Sequence, residues 1–170
     1  MAVTKATTNV IATTCDIKFG GVTLGHTQGA ITVTVAKNSF DVLVNDFGPN
    51  LPVKKTSLGT GATIEIPLAQ YDFDVLIEAI PEATAVSGTS IYVGDTTGTD
   101  FLTLAKTLEV IPRDGSLQWT FLSAAVTEEL SIPFQLDEQT TIVATFTAFP
   151  DANDPTASGS VFRIEPNSVF

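Results

Sequence analysis

The chain has 170 residues, is 44% apolar and only 16% charged, and carries a formal net charge of −11. That length fits one domain with a real core, because such a chain buries roughly 70% of the surface its unfolded form exposes. The acidity argues against binding through nucleic-acid phosphates, which needs clustered Lys and Arg, and the lone Cys15 excludes an intrachain disulfide or a cysteine-built metal site.

Residues 1–14 are Thr-rich and weakly patterned and predict a terminal arm. They contain no apolar h-region, so no secretory signal is expected. The longest apolar runs, such as FDVLIEAI, are broken by acids, and no membrane insertion is expected. The expected setting is folding in a reducing cytoplasm. Asp16–Leu24 predicts two short strands around Gly20-Gly21. Ile31, Val33 and Val35 alternate with Thr32 and Thr34, Ala36–Ser39 is a predicted turn, and Phe40–Asn45 is a second predicted strand of the same hairpin.

A long polar arm is expected over residues 46–61. Pro49 and Pro52 restrict it, Gly48, Gly59 and Gly61 permit turns, and Lys54-Lys55 is a basic spot on an acidic chain. Thr63–Ile66 is the expected return strand. A helix is predicted over 67–80, with Pro67 as its first residue and Leu68, Phe73, Leu76, Ile77 and Ile80 at near-helical spacing. Residues 84–100 read as a loop with a short strand at Ile91–Val93, and 102–112 as one long strand. A turn at Arg113–Gly115 precedes a strand opened by Trp119 and Phe121, and Leu122–Leu130 is open between helix and strand. Ile132–Leu136 and Thr140–Ala148 predict a hairpin around Asp137–Gln139, and Val161–Ile164 a last strand. The whole is a mainly β fold, a β-sandwich or partial barrel with one flanking helix and a long β-hairpin arm.

Chemistry-bearing patterns are sparse. His26 is the only histidine and has no nucleophile elbow or carboxylate partners at ligand spacing. Gly59-Thr60-Gly61 lacks the Lys-Ser/Thr of a phosphate loop. The runs DTTGTD and DAND lack the spacing of a calcium loop with its closing Glu. No catalytic, cofactor or metal residues are assigned, and an enzyme is not expected. Trp119, Phe121, Phe134 and Phe146 are expected in the core.

Several segments together resemble the major tail tube proteins of long-tailed, non-contractile bacteriophages: DIKFGGVTLGHTQGAITVTV, VLVNDFGPNLPV, TGATIEIPLAQYDFDVL, LTLAKTLEVIP and TIVATFTAFPD. The likeness covers about residues 15–165 and rests on the order of the pieces. One departure is Gln70, where an acid would be expected. The resemblance implies hexameric rings whose sheets join into one barrel and stack into a hollow tube. It also implies an inter-ring arm at 46–61 carrying Asp46, Gly48, Pro52, Lys54, Lys55, Gly59 and Gly61. Expected partners are further copies and the tail initiator, tape-measure and terminator proteins, in a virion tail assembled in the host cytoplasm, with DNA passing unbound. Thr32, Thr34, Asp41 and Asn45 are the lumen-lining candidates. The alternatives are the tube of a contractile tail or type VI-like secretion system, and a β-sandwich module that binds carbohydrate or protein.

Overall fold

The computed structural model describes residues 14–43, 52–70, 72–80, 83–86, 90–94, 98, 100–113, 117–128, 130, 132, 140–151, 153–154 and 157–166. In chain order the elements are β1 (Cys15–Phe19), β2 (Val22–Thr23), β3 (Thr32–Leu43), β4 (Pro52–Leu68), α1 (Phe73–Ala79), β5 (Ala83–Val86), β6 (Ser90–Val93), α2 (Phe101–Leu104), β7 (Lys106–Pro112), β8 (Leu117–Val126), β9 (Ile142–Phe149) and β10 (Phe162–Pro166). The fold is mainly β. One antiparallel sheet runs β2-β1-β7-β8-β9-β4-β3, with β10 added to β8, and β5-β6 form a separate ribbon.

Period-two patterning dictates the core. In β9, Ile142, Ala144, Phe146 and Ala148 are buried while the residues between them are partly or fully exposed. In β4, Ala62, Ile64, Ile66 and Leu68 do the same. Their register sets Ile64 opposite Phe146 and Ile66 opposite Ala144, so large and small side chains interdigitate. Phe19 in β1 and Phe146 in β9 are separated by β7 and β8 in the sheet, yet their ring centroids lie 4.9 Å apart. In a flat sheet three strand steps would span roughly 14 Å. The sheet therefore coils on itself around one core, which is the partial-barrel form of the expected fold. Phe121 is fully buried, and Trp119 stacks on Phe162 at 5.7 Å. Phe134 lies outside the described residues.

Several expected boundaries move. The predicted turn at Ala36–Ser39 does not exist: β3 runs through it as one strand of twelve residues. Nothing in Ala36-Lys37-Asn38-Ser39 forces a reversal, and Gly61, Thr60, Gly59 and Ser57 of β4 supply the ladder opposite. The return strand is not Thr63–Ile66 but the seventeen residues of β4. Pro67 does not open the helix; it lies in β4 opposite Val143, beyond the last β3 partner at Glu65, where no β3 ladder asks for its missing N–H. The helix is shorter than 67–80, with Asp72 as N-cap and Val75 and Ala79 buried. A second short helix, α2, takes the start of the strand expected over 102–112; Asp100 caps it by accepting from Leu102 N at 3.0 Å. Residues 122–126 are strand. The hairpin expected around 137–139 and the terminal arm at 1–14, apart from Thr14, fall outside the described residues.

Two polar ties fix the ends of the sheet. His26 N donates to Gln70 Oε1 at 3.1 Å, and Gln70 Nε2 donates to Asp72 Oδ2. Gly25, at φ +71°, sits so close that a methyl group there would meet Gln70 Oε1 at 2.4 Å. Gly25→Ala should therefore lower stability by about 1–2 kcal/mol from the left-handed backbone alone, read as a reduced urea midpoint. At the other tie, Arg113 Nη2 donates to Asp16 Oδ1 at 2.6 Å and its Nε to both carboxylate oxygens. The hydrogen bond from Arg113 holds the Asp16 carboxyl below its ordinary value of 3.8. A depressed carboxylate contributes stability that is complete above the unfolded pKa and is lost as pH falls through the folded one. Asp16→Asn should thus destabilise the protein at neutral pH, with the gap to wild type closing below about pH 4 in thermal melts across that range.

Candidate interaction surface

The arm is a projecting β-ribbon. The β4–β9 ladder ends at the Ala62–Ala148 pair. Beyond it, Pro52–Gly61 pairs only with β3. Ten residues at about 3.3 Å each extend the ribbon roughly 30 Å past the sheet. Its side chains are exposed on both faces, with few partly covered. Val35, Phe40, Leu43, Val53 and Leu58 are all large, apolar and about half exposed or more. Leu58 is an extra residue: Asn38 faces Gly59 and Ser39 faces Ser57, so the ladder skips it. This bulge needs the adjacent Gly59, whose φ of +135° is outside the range of ordinary side chains. Leu58 is 67% exposed.

The ribbon is also basic. Lys37, Lys54 and Lys55 are three of the eight basic residues of the chain. Against them the described arm sets only Asp41, which lies 3.5 Å from Lys55. Lys37, Ser39, Lys55 and Ser57 line a shallow concavity on one face of the ribbon. Pro52, Lys54, Lys55, Gly59 and Gly61 all lie in β4, opposite Leu43, Val42, Asp41, Asn38 and Ala36. Asp46, Gly48 and Asn45 lie outside the described residues.

The lumen-lining set does not share a face. Thr32 and Thr34 are exposed opposite Glu65 and Thr63. Asp41 stands an odd number of residues away on the same unbroken strand, so it points to the other face, where it meets Lys55. The misplaced turn at 36–39 is the reason: it had reset the alternation between the two halves of β3.

A second feature lies beside α1, on the rows of the sheet that run through Ala62 and Ile64 of β4. Phe19, Ile77, Ile80, Leu104 and Val126 line a partly open pocket of about 100 Å³ with the ion-paired Glu78 and Lys106. Lys106 Nζ donates to both Glu78 carboxylate oxygens, at 2.7 and 2.6 Å, and lies 5.5 Å from the Phe19 ring centroid. Six elements and their flanks meet here, with Ala83 of β5 among them, which is why no local run of sequence announced it. Among the described residues no cluster of His, Cys, Asp or Glu could hold a metal ion, and no helix is long and apolar enough to cross a membrane. His26 sits in the loop pinned to Gln70 and has no metal-ligand company there. Asp151 Oδ1 accepts from Asn153 N at 3.0 Å, so the DAND run closes its own turn.

No protein-family model matches the chain, and no curated protein sequence matches it.

The arm and the core should respond differently to substitution. Ile64→Ala, at a fully buried site, should cost about 2–5 kcal/mol. Leu58→Asp should shift the stability of the dilute monomer by no more than about 0.5 kcal/mol. Urea titrations of both variants at low protein concentration compare them directly.

Proposed function

We propose that this chain is a structural subunit of a hollow tube of the phage-tail type, in which copies close into six-membered rings and the rings stack. The observation that carries this reading is the projecting ribbon. A two-stranded hairpin alone is marginally stable in water. This one exposes apolar side chains on both faces, so burying it against another copy stabilises it. The sheet edge supports the same reading. β3 presents a long outer edge with no strand beyond it in the described sheet, and unpaired edges of that length invite strand addition. Closing a ring by pairing such edges removes them, through a heterologous contact that a rotation can close. The net charge of −11 suits a conduit, because acidic walls repel phosphates and let DNA pass without sticking. In this reading the protein belongs to a virion tail and meets the initiator, tape-measure and terminator proteins at the ends and in the lumen of the tube.

Negative-stain electron microscopy of concentrated protein, beside size-exclusion chromatography, should show six-fold rings or hollow tubes. Replacing residues 37–60 by a two-residue turn should leave the far-UV signature of the folded sheet and remove the tubes. A wild-type chain that stays monomeric at high concentration would overturn the reading.

A further inference from the structure

The two faces of the ribbon differ in chemistry. Alternation along β3 puts Lys37, Ser39 and Asp41 on one face. Across the ladder Ser57 stands opposite Ser39 and Lys55 opposite Asp41, so both share that face. Lys54, opposite Val42, belongs to the other face. Directly opposed residues have Cβ atoms about 4.5–5.5 Å apart, so the two serine hydroxyls can reach one group seated between them. Lys37 and Lys55 each lie two residues from the serine row, on different strands and in opposite directions along the ribbon. That offset is about 6.6 Å, which the four-carbon stem of a lysine can span. Lys37, Ser39, Lys55 and Ser57 accordingly line one concavity. The bulge at Leu58 adjoins the serine row, and a bulge increases the local twist of its ribbon.

We propose that this concavity is a phosphate site. A tetrahedral oxyanion seats over the Ser39–Ser57 pair, accepts a hydrogen bond from each hydroxyl, and is bracketed on the diagonal by the Lys37 and Lys55 ammonium groups. Lys37 makes no ion pair among the described residues. Lys55 lies 3.5 Å from Asp41, well beyond the roughly 2.7–2.9 Å of a charge-assisted hydrogen bond. Both ammonium groups are therefore open to an incoming anion. Asp41 is the opposing group, since its carboxylate stands one same-face step from the serines and repels the ligand. Outside the ribbon the chain is acidic, with a net charge of −11 overall. An extended polyanion meets that repulsion along its length, while a single phosphate feels mainly the local cations. Free phosphate is therefore the expected source, ahead of a nucleic-acid backbone. A phosphate group carries more than one negative charge at pH 7, against three lysines and Asp41 on the described ribbon. Binding thus removes most of the basic character of the arm.

The test follows phosphorus NMR line broadening of inorganic phosphate titrated against the full chain, with chloride holding the ionic strength fixed. Wild type should broaden the line saturably. Lys55→Gln should weaken binding by about threefold to fivefold. Lys54→Gln makes the same change in net charge one residue away on the other face, and should alter binding by less than about twofold. Ser39→Ala/Ser57→Ala leaves the charge untouched and should weaken binding about fivefold or more. Asp41→Asn should tighten it about twofold. Circular dichroism checks that each variant is folded. A short single-stranded oligonucleotide, added at equal phosphate concentration, decides the source. Weak competition leaves free phosphate as the ligand, and strong competition moves the same site to a nucleic-acid backbone. Equal losses in Lys54→Gln and Lys55→Gln with no effect of the serine pair would reduce the signal to general charge attraction and sink the site. So would a wild-type line that never saturates. None of these readouts requires rings or tubes, so the site and the tube reading stand or fall separately.

Discussion

One strand lives in two environments, and the rest of the molecule is arranged around that fact. The Ala62–Leu68 half of β4 is locked between the core and β9. The Pro52–Gly61 half has only β3 beside it. The pairing of Ile64 with Phe146 sets the register of the locked half. A slip of one residue would turn the whole apolar set to the outside. The same slip would also rotate every side chain of the ribbon, moving Lys55 and Leu58 to new directions. Core packing thus aims the arm from a distance, through the stiffness of one continuous ladder.

The bulge at Leu58 refines that aim. Without it the alternation of β4 would carry unchanged from core to tip. The extra residue leaves Lys55, Ser57 and Lys37 on one face and sets Leu58 apart from the ladder. Bulges commonly re-aim a side chain or blunt an edge. Here the ribbon keeps its hydrogen bonds while presenting both charge and one apolar knob.

What the sequence made legible follows from how local each signal is. The Gly20-Gly21 hairpin, the alternation in β9, the mainly β class and the presence of an unusual arm all depend on neighbours in the chain, and all are found. The expected turn at 36–39 failed because polar residues were read as a stop, although Lys, Asn and Ser sit comfortably in an exposed ribbon whose partner supplies the ladder. Pro67 misled in the same way: helix-start chemistry was read where a strand end tolerates proline. The absent turn splits the candidate lumen face, since Asp41 changes sides once β3 is continuous. The Asp100 cap of α2 was readable from its position before Phe-Leu-Thr-Leu. The pocket beside α1 was not, because Phe19, Ile77, Leu104 and Val126 meet only when the sheet coils.

The distribution of charge gives the molecule a direction. Most of the acidity lies off the ribbon, and the ribbon is net basic with three lysines against the one described aspartate. A surface salt bridge alone contributes little, typically below about 1 kcal/mol, so charge selects the orientation of contact and apolar burial supplies most of its strength. Because the ribbon continues the β3–β4 ladder beyond the Ala62–Ala148 pair, its lysines stand out from the acidic remainder of their own copy, and a contact made by the arm sets a basic surface forward.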